Sequence, residues 1–173
     1  DAFIKLGGDN NELMIEQFVP FTMEISALVA RGINGDMEIY PLAENIHEDN
    51  ILIKTIVPAR VDKTTEAKAK ALALKAMEHL KGIGVFCIEM FVNKNGEVLV
   101  NEIAPRTHNS GHYTIEACRT SQFMQHLRAI VELPLGSTEL LMPAVMLNVL
   151  GREGHWGKAN VIGIEEVLRV PKC

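Results

Sequence analysis

Two glutamates in one predicted hairpin, Glu89 and Glu102, are the residues of this chain best placed to do chemistry. Asn95-Gly96 reads as a two-residue type I′ turn between the apolar runs 85–92 and 97–103. With Lys94 opposite Glu97, counting back sets Glu89 directly across from Glu102, side chains on one face and Cβ atoms about 4.5–5.5 Å apart. A four-residue loop would make them diagonal neighbours on that face; only an odd loop length would separate them. Like charges so placed cost stability, more so beside the apolar Cys87, Phe91 and Val100. A shared proton, a neighbouring Arg or Lys, or a divalent cation would relieve the cost. Mg²⁺ takes hard oxygen ligands, typically one or two carboxylates plus substrate phosphates. The plain alternative is a solvated hairpin face with two ordinary glutamates.

The segment after the second strand, Ala104-Pro-Arg-Thr-His-Asn-Ser-Gly-His-Tyr-Thr114, adds donors immediately beyond Glu102. Binding groups are commonly held on loops at strand ends. Arg106 suits a planar carboxylate, bicarbonate or phosphate, because its guanidinium donates two parallel hydrogen bonds. His108 is suited to proton transfer near neutral pH. The competing reading is a surface loop rich in turn formers. The spacing His108-x-x-x-His112 hints at zinc, but Gly111 spoils the continuous helix that this would need.

Other elements must hold these groups. The runs 12–18, 22–31, 37–40 and 51–57 are short and rich in β-branched residues, so they are expected as strands, with Asn34-Gly35 as a hairpin turn. Residues 1–7 are expected as a helix end closed by Gly7-Gly8. Residues 64–81 carry Ala69, Leu72, Ala73, Ala76, Met77 and Leu80 at helical spacing, with Thr64 as cap and Gly82 just past the end. This helix is expected to cover a sheet. Helices are also expected at 114–119, 122–132 and 164–168, and a strand at 144–150. The expected fold class is α+β, with a mainly antiparallel sheet and covering helices.

Composition bounds the partners. The 173 residues are 47% hydrophobic and 23% charged, which excludes disorder and low-complexity classes. The formal net charge is −5, and no Lys/Arg block appears, so neither nucleic acid nor an anionic membrane is the expected partner. No apolar stretch approaches the roughly 20 residues that span a bilayer. Cys87, Cys118 and Cys173 are odd in number and widely spaced, which suggests no disulfide framework or zinc ribbon and fits a reducing cytoplasm.

The run Asn101-Glu-Ile-Ala-Pro-Arg-Thr-His-Asn-Ser-Gly-His112 closely resembles a signature of the 5-(carboxyamino)imidazole ribonucleotide synthases, ATP-grasp enzymes of purine biosynthesis. Supporting stretches are Glu16-Gln-Phe-Val-Pro-Phe21, Glu24-Ile-Ser26, Tyr40-Pro-Leu-Ala-Glu-Asn-Ile-His47, Ser121-Gln-Phe123, Gln125-His-Leu-Arg-Ala-Ile130 and Val145-Met-Leu-Asn148. The likeness covers about residues 12 to 151. It implies ATP-dependent carboxylation of aminoimidazole ribonucleotide by bicarbonate, through carboxyphosphate. It also implies that Glu89 and Glu102 hold Mg²⁺ against ATP. Glu16, Gln17, Phe18 and Val19 would pass the adenine edge, Glu24 would meet the ribose, and His47 and Asn101 would complete the nucleotide site. Arg106 and His108 would handle bicarbonate or carboxyphosphate, with Asn109, Ser110 and His112 shaping the neighbouring pocket. From the residues alone, Glu16 and Glu24 would be solvent-facing strand positions and His47 a turn residue.

The resemblance also implies a homodimer in the cytoplasm and a division into residues 1–133, the C-terminal part of the ATP-grasp domain, and 134–173, the start of a small C-terminal domain. Gly7-Gly8-Asp9 is no phosphate-cradling loop, and the basic tail expected of such enzymes is not found after Pro171. The chain is therefore expected to be a fragment, inactive alone, that needs further N- and C-terminal segments. Alternatives are an ATP-grasp ligase for another small acid, or a non-catalytic nucleotide-binding or dimer-forming module.

Overall fold

The computed structural model describes residues 2–8, 10–151, 154–158 and 160–171; Asp9 and Cys173 lie outside them. After a short helix α1 (Ala2–Lys5), the chain builds strands β1 (Phe21–Arg31), β2 (Met37–Ile39), β3 (Ala43–Glu48) and β4 (Ile51–Val57). Helix α2 (Lys63–Leu80) leads to β5 (Gly84–Asn93) and β6 (Val98–Ala104). A 3-10 turn (Asn109–Gly111) precedes α3 (Thr114–Ala117), α4 (Gln122–Ile130), β7 (Ala144–Leu147) and α5 (Ile164–Leu168). The strands form one sheet in the order β6-β5-β1-β3-β4-β7, with β2 also on β1, and every pairing is antiparallel. The expected α+β class with an antiparallel sheet is what folds.

β1 is buried on both faces because alternate residues serve two cores. Ile25, Ala27 and Val29 pack with Ile88, Met90 and Val92 of β5 under Ala69, Ala73 and Met77 of α2. On the opposite face Leu28, Ala30, Cys87 and Ala104 pack with Tyr113, Ala117 and Cys118. The helix thus takes one face and the segment after β6 takes the other. β7 extends the same sheet beyond β4, so the sheet runs across residue 133.

Several expectations need correcting. Residues 12–18 form no strand; they are mostly exposed and have no ladder partner. β3 was not expected, because Ala-Glu-Asn-Ile-His-Glu lacks the β-branched content that marks a strand; its place between β1 and β4 supplies the missing drive. α2 is capped by Asp62, whose side chain accepts from the backbone N–H groups of Thr64 and Thr65, and those bonds hold its carboxyl below the usual range. Lys81, not Gly82, takes the left-handed position at its end, with φ 55°. α3 stops at Ala117, α4 at Ile130 and β7 at Leu147, each shorter than expected.

The hairpin differs in a more instructive way. The backbone N–H of Asn93 bonds Glu97 O and that of Gly96 bonds Asn93 O, so the loop is 94–96, an odd number, with Gly96 at φ 70°. Val92 pairs with Val98, Phe91 with Leu99 and Met90 with Val100. That register alone would set Asn101 opposite Glu89. A bulge next absorbs Asn101, and Glu89 pairs with Glu102.

Candidate functional site

On the face away from α2, Glu102, Glu89 and Ser26 are successive partners across β6, β5 and β1. One pair further along, Phe91, Glu24, Asn45 and Thr55 cross β5, β1, β3 and β4. The acidic pair is asymmetric. Glu89 is part-buried, and burial pushes its carboxyl up, aided by the charges of Glu102 and Glu24 and opposed by His47 and Arg106; Glu102 is exposed. Glu24 accepts a hydrogen bond from Nδ1 of His47 at 2.8 Å. His47 lies two residues beyond Asn45, the cross-strand partner of Glu24, and so shares its face.

Arg106 sits exposed two residues past the end of β6; its backbone N–H donates to Ala104 O at 2.9 Å and its guanidinium to Thr107 O at 3.1 Å. Its charge bears on both Glu89 and His108. His108 places Nε2 3.9 Å from Oε1 of Glu89. Burial, with help from the nearby Arg106 charge, holds the imidazole's pKa down, so the ring is neutral at ordinary pH.

Sequence reasoning gave no role to the residue that fixes this loop. Gln122, wholly buried at the start of α4, accepts from the backbone N–H of His108 at 2.9 Å and donates to His108 O at 2.7 Å. Its own N–H donates to Thr114 Oγ1, which donates to Gly111 O. The signal the sequence offered was the Ser121-Gln-Phe123 stretch, which carries part of the family resemblance without naming a role for the glutamine. Ser110 is also wholly buried, with its hydroxyl 2.9 Å from His108 Nδ1, so it acts inward, on the imidazole. Asn109 is part-buried at the start of the turn. His112 is exposed and turns towards a different cavity of about 370 Å³, stacking on Phe123 with ring centroids 5.9 Å apart.

Glu16, Gln17, Phe18 and Val19 meet Phe21, Phe91, Val100 and the bulged Asn101 around a cavity of about 240 Å³. Phe21 and Phe91 stack face to face there, with centroids 4.4 Å apart. A flat aromatic ligand is matched by such walls.

The donor set tests what cation would fit. Glu89 and Glu102 offer hard carboxylate oxygens on adjacent strands, one half-buried and one open to solvent, as a Mg²⁺-like ion that keeps waters requires. Cys87, Glu89 and His108 also converge, with ligand atoms within 4.8 Å of one another. A soft metal is poorly served there. Burial pushes the Cys87 thiol up to about 12, and His108 Nδ1 accepts from the Ser110 backbone N–H, whereas a metal-bound imidazole normally donates from its other nitrogen. Among the described residues no helix is long and apolar enough to cross a membrane.

Known proteins resemble this chain in sequence and fold. A family model described as the ATP-grasp domain matches residues 1–123. The N5-carboxyaminoimidazole ribonucleotide synthase of Bacillus subtilis is 51% identical over 145 residues, 84% of this chain and 38% of that protein. The crystal structure of the N5-carboxyaminoimidazole ribonucleotide synthetase from Thermotoga maritima superposes with TM-score 0.82 at 52% identity, covering 92% of this chain and 44% of that one. The N5-carboxyaminoimidazole synthase of Aspergillus clavatus, solved with ADP and 5-aminoimidazole ribonucleotide, superposes at 0.77 with 42% identity, over 80% of this chain and 38% of that one. The chain thus spans less than half the length of each of these relatives.

Proposed function

This chain belongs to the ATP-grasp family, and from that membership we propose that it forms part of an enzyme joining bicarbonate to the exocyclic amine of aminoimidazole ribonucleotide at the expense of ATP. The observation that carries the reading is the opposed pair Glu89 and Glu102 with Arg106 and His108 at the strand end beside it. Relatives of about 50% identity named for this synthesis support it.

In this reading, residues 16–19 and the Phe21–Phe91 stack hold the adenine, and Glu24 accepts from the ribose hydroxyls while His47 orients its carboxylate. Glu89 and Glu102 would hold Mg²⁺, which neutralises phosphate charge when bound. A bicarbonate oxygen attacks the γ-phosphorus and ADP leaves, giving carboxyphosphate. The amine nitrogen then bonds to the carboxyl carbon as phosphate departs, and the leaving phosphate takes up the amine's proton. Arg106 clamps the planar acid with two parallel N–H bonds, and His108 hydrogen-bonds it from the buried side. Ser110 supports His108 from beneath, and Asn109 lines the approach to the ribonucleotide; His112, expected there too, lines the separate cavity beside Phe123.

We read residues 1–133 as the C-terminal part of an ATP-grasp domain and 134–173 as the start of the next. The exposed Phe123, Leu127 and Ile130 of α4 support a homodimer, and the working compartment is taken as the cytoplasm. The chain alone is expected to be inactive. The test is ADP release with Mg·ATP, aminoimidazole ribonucleotide and bicarbonate, after joining the segments by which the Bacillus subtilis relative is longer. Release that needs both co-substrates supports the reading. Release with another small acid in place of bicarbonate would reassign the substrate, and nucleotide binding without turnover would favour a non-catalytic module.

A further inference from the structure

Beneath His108 runs a line of buried polar side chains of which the carboxylation reading uses only Ser110. Thr55 Oγ1 lies 3.1 Å from Asn45 Oδ1, Asn45 Nδ2 lies 2.9 Å from Ser26 Oγ, and Ser26 Oγ lies 3.2 Å from Ser110 Oγ. Ser110 Oγ in turn lies 2.9 Å from His108 Nδ1. Thr55, Ser26 and Ser110 have no exposed surface, and Asn45 has 4%. The line crosses β4, β3 and β1 to reach the loop after β6. Ser26 and Thr55 occupy inward positions where an apolar residue would otherwise pack, so the polar atoms hold their places at some cost in burial.

A row of hydroxyls and an amide can run in either direction, and its ends decide which. One donor at the imidazole end cannot reverse: the backbone N–H of Ser110 points at His108 Nδ1, at 3.4 Å. At that length it biases the ring without fixing it; with the Ser110 hydroxyl donating at 2.9 Å, Nδ1 is the acceptor and the neutral ring's proton sits on Nε2. The other side of the ring agrees, since Nε2 faces a Glu89 carboxylate oxygen at 3.9 Å, a group that accepts when ionised.

We propose that Thr55, Asn45, Ser26 and Ser110 are positioning residues forming a one-way donor chain that holds His108 as its Nε2–H tautomer. Each O–H or N–H donates towards the ring: Thr55 to Asn45 Oδ1, Asn45 Nδ2 to Ser26, Ser26 to Ser110, Ser110 to Nδ1. The Cys87 Sγ, 3.5 Å from Ser110 Oγ, takes the serine's remaining lone pair as an S–H donor. The consequence deepens the proposed function, on which it rests only for the use made of the proton. His108 meets the acid substrate as a hydrogen-bond donor, not as the base that removes its proton.

The test reads the tautomer and needs no turnover, so its failure is separable from failure of the carboxylation reading. The 173-residue chain is labelled with ¹⁵N, and the imidazole nitrogens are read by long-range proton–nitrogen correlation, with His108 assigned by its loss in His108→Asn. Wild type is expected to show a protonated Nε2 and an unprotonated Nδ1; a proton on Nδ1 overturns the proposal outright. Asn45→Asp replaces the amide donor by an acceptor of the same shape. It should reverse Ser26 and Ser110 and move the proton to Nδ1. Adding Ser26→Ala should cut the transmission and return it to Nε2. A folded Asn45→Asp chain that keeps Nε2–H, or that flips equally without Ser26, overturns the relay. Ser110→Ala leaves only the backbone donor and should give a mixture of tautomers; a ring as fully Nε2–H as wild type overturns the hydroxyl chain.

Discussion

Glu89 stands opposite Glu102 because Asn101 is squeezed out of the ladder between them and the hairpin tip. The three-residue tip shifts the register by one, and the bulge shifts it back. Two adjacent carboxylates on one face are thus a built arrangement, needing two irregularities that act together.

Removing one of the pair should abolish function without unfolding the chain. In the completed enzyme, Glu102→Gln is expected to lower Mg²⁺-dependent ADP release by roughly 10²-fold or more, the scale on which positioned charge contributes to such transfers. Circular dichroism should be unchanged, because Glu102 is exposed. Near-normal turnover would remove the pair from the metal site.

Glu89 should make the empty chain less stable as pH rises. Its folded pKa is raised by burial, so the folded state holds its proton to higher pH than the unfolded state does. Stability from this group is present below the usual carboxylate range and is lost as pH climbs through the raised value. Glu89→Gln should therefore be more stable than wild type at neutral pH, with a smaller difference near pH 4, a value about that of a free Glu. Urea midpoints at the two pH values decide it, and a less stable variant at neutral pH would contradict the account.

Gln122→Ala should loosen the site from behind. It leaves the His108 N–H and C=O without their buried partners, an expected loss of about 1–3 kcal/mol. A urea titration measures this, and an unchanged midpoint would show the clamp to be dispensable.

The two described cysteines should resist alkylation. Cys87 is wholly buried with its thiol pushed up to about 12, and Cys118 is buried with its thiol pushed up to about 11. Iodoacetamide in native buffer should leave both unmodified, as read by peptide mass, and denaturant should expose them. Ready native labelling of Cys87 would contradict the packing beneath His108.

Much of this was legible because local patterns were strong. α2 shows helical spacing, β1 and β5 are long apolar runs, and the 101–112 signature points to one enzyme family. The opposition of Glu89 and Glu102 was reached through an assumed two-residue turn that the chain does not make; the loop parity and the bulge compensate. Bulges depend on what the strand meets across the sheet, which no local pattern encodes. β3 escaped for a similar reason, since its polar residues form a strand only between two neighbours. The buried line from Thr55 to Ser110 joins residues up to 84 positions apart, as Ser26 and Ser110 are. Nothing in the local sequence of any one of them announces the others.

The Asn101 bulge bears on self-association as well. Among the described residues β6 is the last strand on its side of the sheet, and a bare strand edge is a template on which another chain can grow. A regular edge would offer an unbroken comb of N–H and C=O groups from Val98 to Ala104. The bulge breaks the comb's pitch midway, and the neighbouring Glu102 adds a charge that an incoming strand must meet. The irregularity that aligns two carboxylates also spoils that edge as a seed for aggregation.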